Sequence, residues 1–187
     1  GGVGVTTMAV HFAIDHHNSH PEDRVCVVDL DIEKGDVSAL LDVRQSVSVA
    51  DLAKVYQDLS ANTVSDAVIE HESGIHLLLA PIDVRQSEEV TPEALRAVVA
   101  LLRRDFDIVI LDAGGYVSPA QGAAIELSDE TVVVTTPDVL TLRAMRKRIL
   151  AWESLGVRHE AELRVLVNKV DRSSIFPADA VPKLTTA

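Results

Sequence analysis

The chain has 187 residues, of which 47% are hydrophobic, 25% charged and only 3% aromatic. That length suits one domain with a sizeable core, and the scarcity of aromatics leaves Val, Leu, Ile and Ala to build it, the material of a parallel sheet covered on both faces. With 17 basic against 29 acidic residues, the formal net charge of −12 argues against binding nucleic acid or anionic lipid through the surface at large, because the field repels phosphate.

The chain opens on Gly1-Gly2-Val3-Gly4-Val5-Thr6-Thr7, which runs directly into an apolar helical stretch. Glycines before a helix let backbone N–H groups turn inward, and the helix N-terminus adds partial positive charge, so together they form an anion site. A hydroxyl in the first helical turn, here Thr6, stands where a P-loop places its Mg²⁺ ligand. Val5 occupies the lysine position of G-x-x-x-x-G-K-[ST], so the point charge on the phosphates is missing. A P-loop is fed by a strand, and the expected fold lacks that strand because the chain opens inside the loop.

Met8, Ala9, Phe12 and Ala13 recur at helical spacing within residues 6–18, and Pro21 and Asp23 mark the exit turn. Arg24–Leu30 reads as a buried strand ending in Asp29-x-Asp31. Gly35-Asp36 lies in a polar loop, followed by short helical pieces near 48–58 and 62–72. Ile75–Ala80 is a second strand, stopped by Pro81. Residues 91–104 form a helix with Thr91 as N-cap, Pro92 at the first position and basic residues at the far end. Asp107–Asp112 is a third strand, followed by Ala113-Gly114-Gly115. Residues 118–127 form a short helix capped by Ser118. Thr131–Thr136 is a fourth strand, and a long helix over 139–155 stops at Gly156. Leu163–Val167 is a fifth strand delivering Asn168-Lys169-Val170-Asp171, and the tail from Ser173 has no periodicity. The whole reads as one α/β domain over 1–187: a doubly wound, mostly parallel sheet with helices on both faces, its ligands expected at the carboxyl ends of the strands.

The polar signals collect on that edge. Asp112, after a hydrophobic strand, fits an acid that holds Mg²⁺ through water. Asp29 and Asp31 alternate and so point differently; one suits orienting a water and the other supporting the metal shell. His11, His16, His17 and His20 resemble a metal cluster, with His16 and His20 at i, i+4. No carboxylate or cysteine completes a set at typical spacing, so they read as solvated helix-end histidines. Arg143, Arg146, Lys147 and Arg148 are the only strong basic patch and read as a solvated helix face. The single Cys26 cannot form an internal disulfide and fits a reduced compartment. Neither a signal peptide nor an 18-residue apolar span appears. Asn168-Lys169-Val170-Asp171 matches the guanine-reading string N-K-x-D, yet an asparagine after the fifth strand can equally bond adenine.

Taken together, GGVGVTT, VVDLDIEKGDVSALLDV, FDIVILDAGG, VVVTTPDVLTLRAMRKRI and LVNKV resemble the ParA/MinD superfamily of deviant-Walker P-loop ATPases over roughly residues 1–172. The DLDIEKGDVSALLDV stretch and the substituted P-loop are most similar to the CpaE/TadZ branch, associated with Flp (tad-type) pilus assembly and polar localisation. The resemblance implies a cytoplasmic protein that binds ATP and Mg²⁺, dimerises with nucleotide, and is recruited by pilus or secretion machinery to the cell pole or inner membrane. It implies that Gly1, Gly2, Val3, Gly4, Val5 and Thr7 surround the phosphates and that Thr6 binds Mg²⁺. It also implies that Asp31 positions the hydrolytic water, that Asp29 and Asp112 support the metal, and that Asn168 reads adenine. The family's signature lysine falls before Gly1, and Val5 replaces the P-loop lysine, so hydrolysis is expected to be weak or vestigial. The alternatives are an active ParA/MinD-type ATPase in chromosome or plasmid partitioning or division-site positioning, and a P-loop GTPase using Asn168–Asp171.

Overall fold

A computed structural model describes residues 2–44, 47–115 and 118–171. Gly1 and the tail from Ser173 lie outside the described residues. The chain forms two compact units, one of residues 5–127 and one built from 2–4 together with 128 onward.

The larger unit contains helix α1 (Val5–Ser19), strand β1 (Val25–Asp29), helices α2 (Asp36–Leu40), α3 (Val49–Lys54) and α4 (Ala61–Ala67), strands β2 (Ile69–Glu70) and β3 (His76–Leu78), helix α5 (Pro92–Asp105), strand β4 (Ile108–Asp112) and helix α6 (Pro119–Leu127). Its sheet runs β2-β3-β1-β4, with β3 and β4 both parallel to β1. Every residue of β1 is buried, as expected of a central strand with helices on both faces. Val25 and Val27 face one layer with Val10 and Ala13 of α1 and Val37 of α2. Cys26 and Val28 face the other, with Leu52, Val64, Leu95, Val98, Leu102 and Ala123 from α3 to α6. The period of two along the strand sends alternate residues to the two layers. Each fully buried Val or Leu there is worth about 1.5–3 kcal/mol over an exposed one.

Caps set the helix boundaries. The Thr91 hydroxyl accepts from Ala94 N at 3.2 Å, with Pro92 opening α5, and the Ser118 hydroxyl accepts from Gln121 N at 3.0 Å at the start of α6. One expectation is corrected. The helical piece near 62–72 is helical only through Ala67, because Ile69 and Glu70 pair antiparallel with β3. A turn closes that pair, with Gly74 N donating to His71 O at 2.8 Å and His71 N to Ile75 O at 2.9 Å. Backbone pairing with β3 overrides the short local helical pattern, a tertiary effect invisible to a propensity window.

The smaller unit holds β5 (Thr131–Thr135), α7 (Val139–Ser154) and β6 (Leu163–Val167), with β5 and β6 parallel in register from Thr131–Leu163 to Thr135–Val167. Leu142, Met145, Ile149 and Trp152 form the buried stripe of α7. Asp138 caps it, its carboxylate accepting from Leu140 N and Thr141 N at 3.1 and 3.0 Å. Hydrogen bonds from Thr136, from Thr141 N and from the Thr141 hydroxyl pull that carboxyl down to about 2. Arg143, Arg146 and Lys147 lie exposed on the outer face of α7, as expected of a solvated stripe, and Arg148 is half-buried.

Candidate functional site

In the larger unit the acids gather at the carboxyl edge of the sheet. Parallel pairing puts Asp29 and Asp112 directly opposite each other at the ends of β1 and β4. Both are 1% exposed and Asp31 is 6% exposed, so three carboxylates are buried together. Sequence alternation expects Asp29 and Asp31 to point differently, and their bonding differs accordingly. Asp29 holds the loop after β1, accepting from Asp31 N at 3.1 Å and Val37 N at 3.2 Å. Asp31 instead receives Lys34 Nζ at 3.3 Å.

Burial and the neighbouring Asp112 charge push the Asp29 carboxyl up to about 7, even though the two backbone donors pull it down. Asp112 is raised as well, first by burial, against the pull of the Thr6 hydroxyl and Gly114 N. Its Oδ1 accepts from Gly114 N at 3.3 Å, while its Oδ2 is buried without a hydrogen-bond partner. A buried orphan carboxylate oxygen is costly unless something satisfies it. Two acids sharing a site, an orphan oxygen and an adjacent threonine hydroxyl make a hard, oxygen-only donor set that fits Mg²⁺.

Gly114 closes this pocket of charge. At φ 58° it sits in the left-handed region, and a Cβ there would stand 2.4 Å from Asp31 Cγ. Only glycine allows the chain after β4 to pass Asp31 so closely. The sequence reading gives Ala113-Gly114-Gly115 only as the residues that follow the third strand, with no role for Gly114; a strand–Asp–x–Gly order is the available signal.

In the smaller unit, the glycine segment meets the end of β6. Asn168 N continues the ladder to Thr135 O at 2.7 Å. The Asn168 side-chain amide donates to Val3 O at 2.8 Å, and its Oδ1 accepts from Lys169 N at 2.8 Å. Lys169 Nζ donates to Gly2 O at 2.6 Å. Gly4, at φ 97°, lies so close that a Cβ would meet Asn168 Nδ2 at 2.6 Å. Asn168 and Lys169 thus brace the glycine segment by its carbonyls. The bracing lysine was missed, because nothing in N-K-x-D read alone ties its second residue to Gly2.

Thr6 is half-buried and Thr7 exposed in the first turn of α1, with Val5 half-buried at its start. The histidine reading needs correction. Asp23, read only as a turn residue, brings its Oδ2 to 2.7 Å from His16 Nε2, so a carboxylate does join the histidines.

A family model described as an AAA domain matches residues 1–164. The septum site-determining protein MinD of Thermotoga maritima is 24% identical over 170 residues, covering 90% of this chain and 60% of that protein. The chain therefore spans about three-fifths of the length of that curated relative. Among solved structures, a ParA family ATPase from Chlorobium tepidum superposes with a TM-score of 0.87 at 22% identity, covering 100% of this chain and 77% of that one. The MinD protein of Pyrococcus horikoshii complexed with Mg-ADP gives 0.76 at 20% identity, covering 98% and 73%. No described helix is long and apolar enough to cross a membrane.

Proposed function

Because the chain belongs to the AAA-domain family whose model it matches, and with it to the ParA/MinD-type P-loop ATPases, we propose that it is a nucleotide switch holding Mg-ATP and turning it over slowly. The observation that carries this reading is the buried acid pair, Asp29 and Asp112, with an unpartnered Asp112 oxygen beside Thr6. Magnesium bound there would supply the positive charge that polarises a phosphate and offsets the acids. Thr6, Asp112 and Asp29 would hold the ion, the last two through its waters. Gly1 (outside the described residues), Gly2, Val3, Gly4, Val5 and Thr7 would surround the phosphates. Asp31, which the chain passes closely at Gly114, would orient the attacking water. Asn168 would read the base as well as bracing the loop.

The biological role follows the DLDIEKGDVSALLDV resemblance: a localisation or assembly factor for a Flp/tad-type pilus or secretion system, acting as a nucleotide-bound homodimer and recruited to the pole or inner membrane by its partners. Division-site positioning is the second reading, favoured by the MinD relative.

The test is competition between ATP and GTP for a fluorescent nucleotide, with and without Mg²⁺. ATP should bind tighter, and Asp112→Asn should remove most of the Mg²⁺-dependent affinity, on the order of tenfold for a lost charge–metal contact. Tighter GTP binding, or a Mg²⁺ dependence that survives in Asp112→Asn, would overturn the assignment.

A further inference from the structure

At the opposite end of α1 from its phosphate-facing turn, three side chains of the right chemistry converge with no part in nucleotide binding. His16 and His20 are one helical turn apart, and their rings stack at 4.6 Å between centroids with 18° between planes. The helix ends there and the chain turns back. His20 N donates to His16 O at 2.8 Å, and Asp23 N donates to His20 O at 3.1 Å. His17 Nδ1 stands 3.4 Å from Asp23 O, a second tie on the same residue. This turn delivers the Asp23 carboxylate to 2.7 Å from His16 Nε2.

We propose that His16, His20 and Asp23 form a divalent transition-metal site, for Zn²⁺ or an ion of similar preference, at the C-terminal end of α1. Ligand atoms of all three lie within 4.8 Å of one another. Around zinc, with bonds of about 2.0–2.2 Å, tetrahedral ligands stand about 3.4 Å apart. The His16–Asp23 contact opens slightly and the longest separation closes, both by side-chain rotation, since the backbone turn is already set. Two imidazoles and one carboxylate are borderline donors that select zinc-like ions over Mg²⁺ or Ca²⁺. The helix C-terminus carries partial negative charge, which favours a cation there. His16 and Asp23 are half-buried and His20 exposed, so a three-residue set leaves a coordination position open to water or to a partner's side chain.

The experiment is calorimetric titration of Zn²⁺ into the tag-free 187-residue chain, in excess Mg²⁺ so that the acids of the nucleotide site do not compete. Co²⁺ absorption serves as an independent readout of imidazole coordination. One equivalent should bind, and His20→Ala and Asp23→Ala should each weaken it at least about tenfold with unchanged far-ultraviolet circular dichroism. His20 is exposed, so its truncation spares the fold and keeps the test informative if Asp23→Ala unfolds. Absence of Zn²⁺ binding, equal affinity in His20→Ala, or loss of the site in His11→Ala instead would each overturn the proposal.

Discussion

Asp29 accepts two backbone hydrogen bonds and still has a carboxyl pushed up to about 7, because burial and Asp112 outweigh those donors. In an unfolded chain the same group sits at 3.8. Between those values the folded protein keeps a proton that the unfolded chain has released, so stability falls as pH rises. Its contribution is fully present below about pH 4 and gone above about pH 7. Asp112, also raised, adds with the same sign. In urea unfolding without divalent ions, the wild type should lose more stability from pH 5 to pH 8 than Asp29→Asn does, and Mg²⁺ should return part of the loss at pH 8. Parallel pH curves for the two proteins would show that Asp29 carries no such strain.

Helix α1 is the element where function turns on one side chain. On the nucleotide-switch reading proposed above, its first residue, Val5, stands where a P-loop lysine would reach the transferring phosphoryl group. Charge aimed at the developing transition state is the largest contribution such a site offers, and removing one donor from comparable sites costs about 10²–10³-fold. Val5→Lys should therefore raise steady-state ATP turnover on the order of a hundredfold. Val5 is only half-buried, which leaves a longer side chain room at the helix start. A wild type already turning over at about 1 s⁻¹ or faster, or a Val5→Lys variant no faster than it, would contradict that account. The same helix exits through the His16–Asp23 turn, so the two ends of α1 present opposite chemistries: amide donors at its start and metal-binding donors at its close.

For the molecule as a whole, the strand-end edge concentrates Asp29, Asp31, Asp36 and Asp112. Two such edges facing across a two-fold axis repel unless cations lie between them. Dimerisation should therefore need Mg²⁺ and ATP together. Light scattering should give the monomer mass with either alone and a higher mass with both. A mass that ignores both would refute a dimer built around the nucleotide.

The alternation of apolar runs with helical periods, the acids at strand ends and the glycine-rich opening were all legible locally, since each depends on spacing along a few residues. Asp29, Asp31 and Asp112 could thus be named from the chain alone. What the sequence could not hold was adjacency between distant segments. Asp29 lies opposite Asp112 only because β1 pairs parallel with β4, and the Asp112 charge then adds to burial in raising the Asp29 carboxyl. Lys169 reaches Gly2 only because β6 carries it there beside β5. Ile69 and Glu70 became strand because β3 offered them partners. Asp23 joined His16 because the turn after α1 folds back on its last carbonyls. Residue types and their local periods are written along the chain, but charge coupling and hydrogen bonding act through space at a few ångströms, so only the tertiary structure decided which of those residues meet.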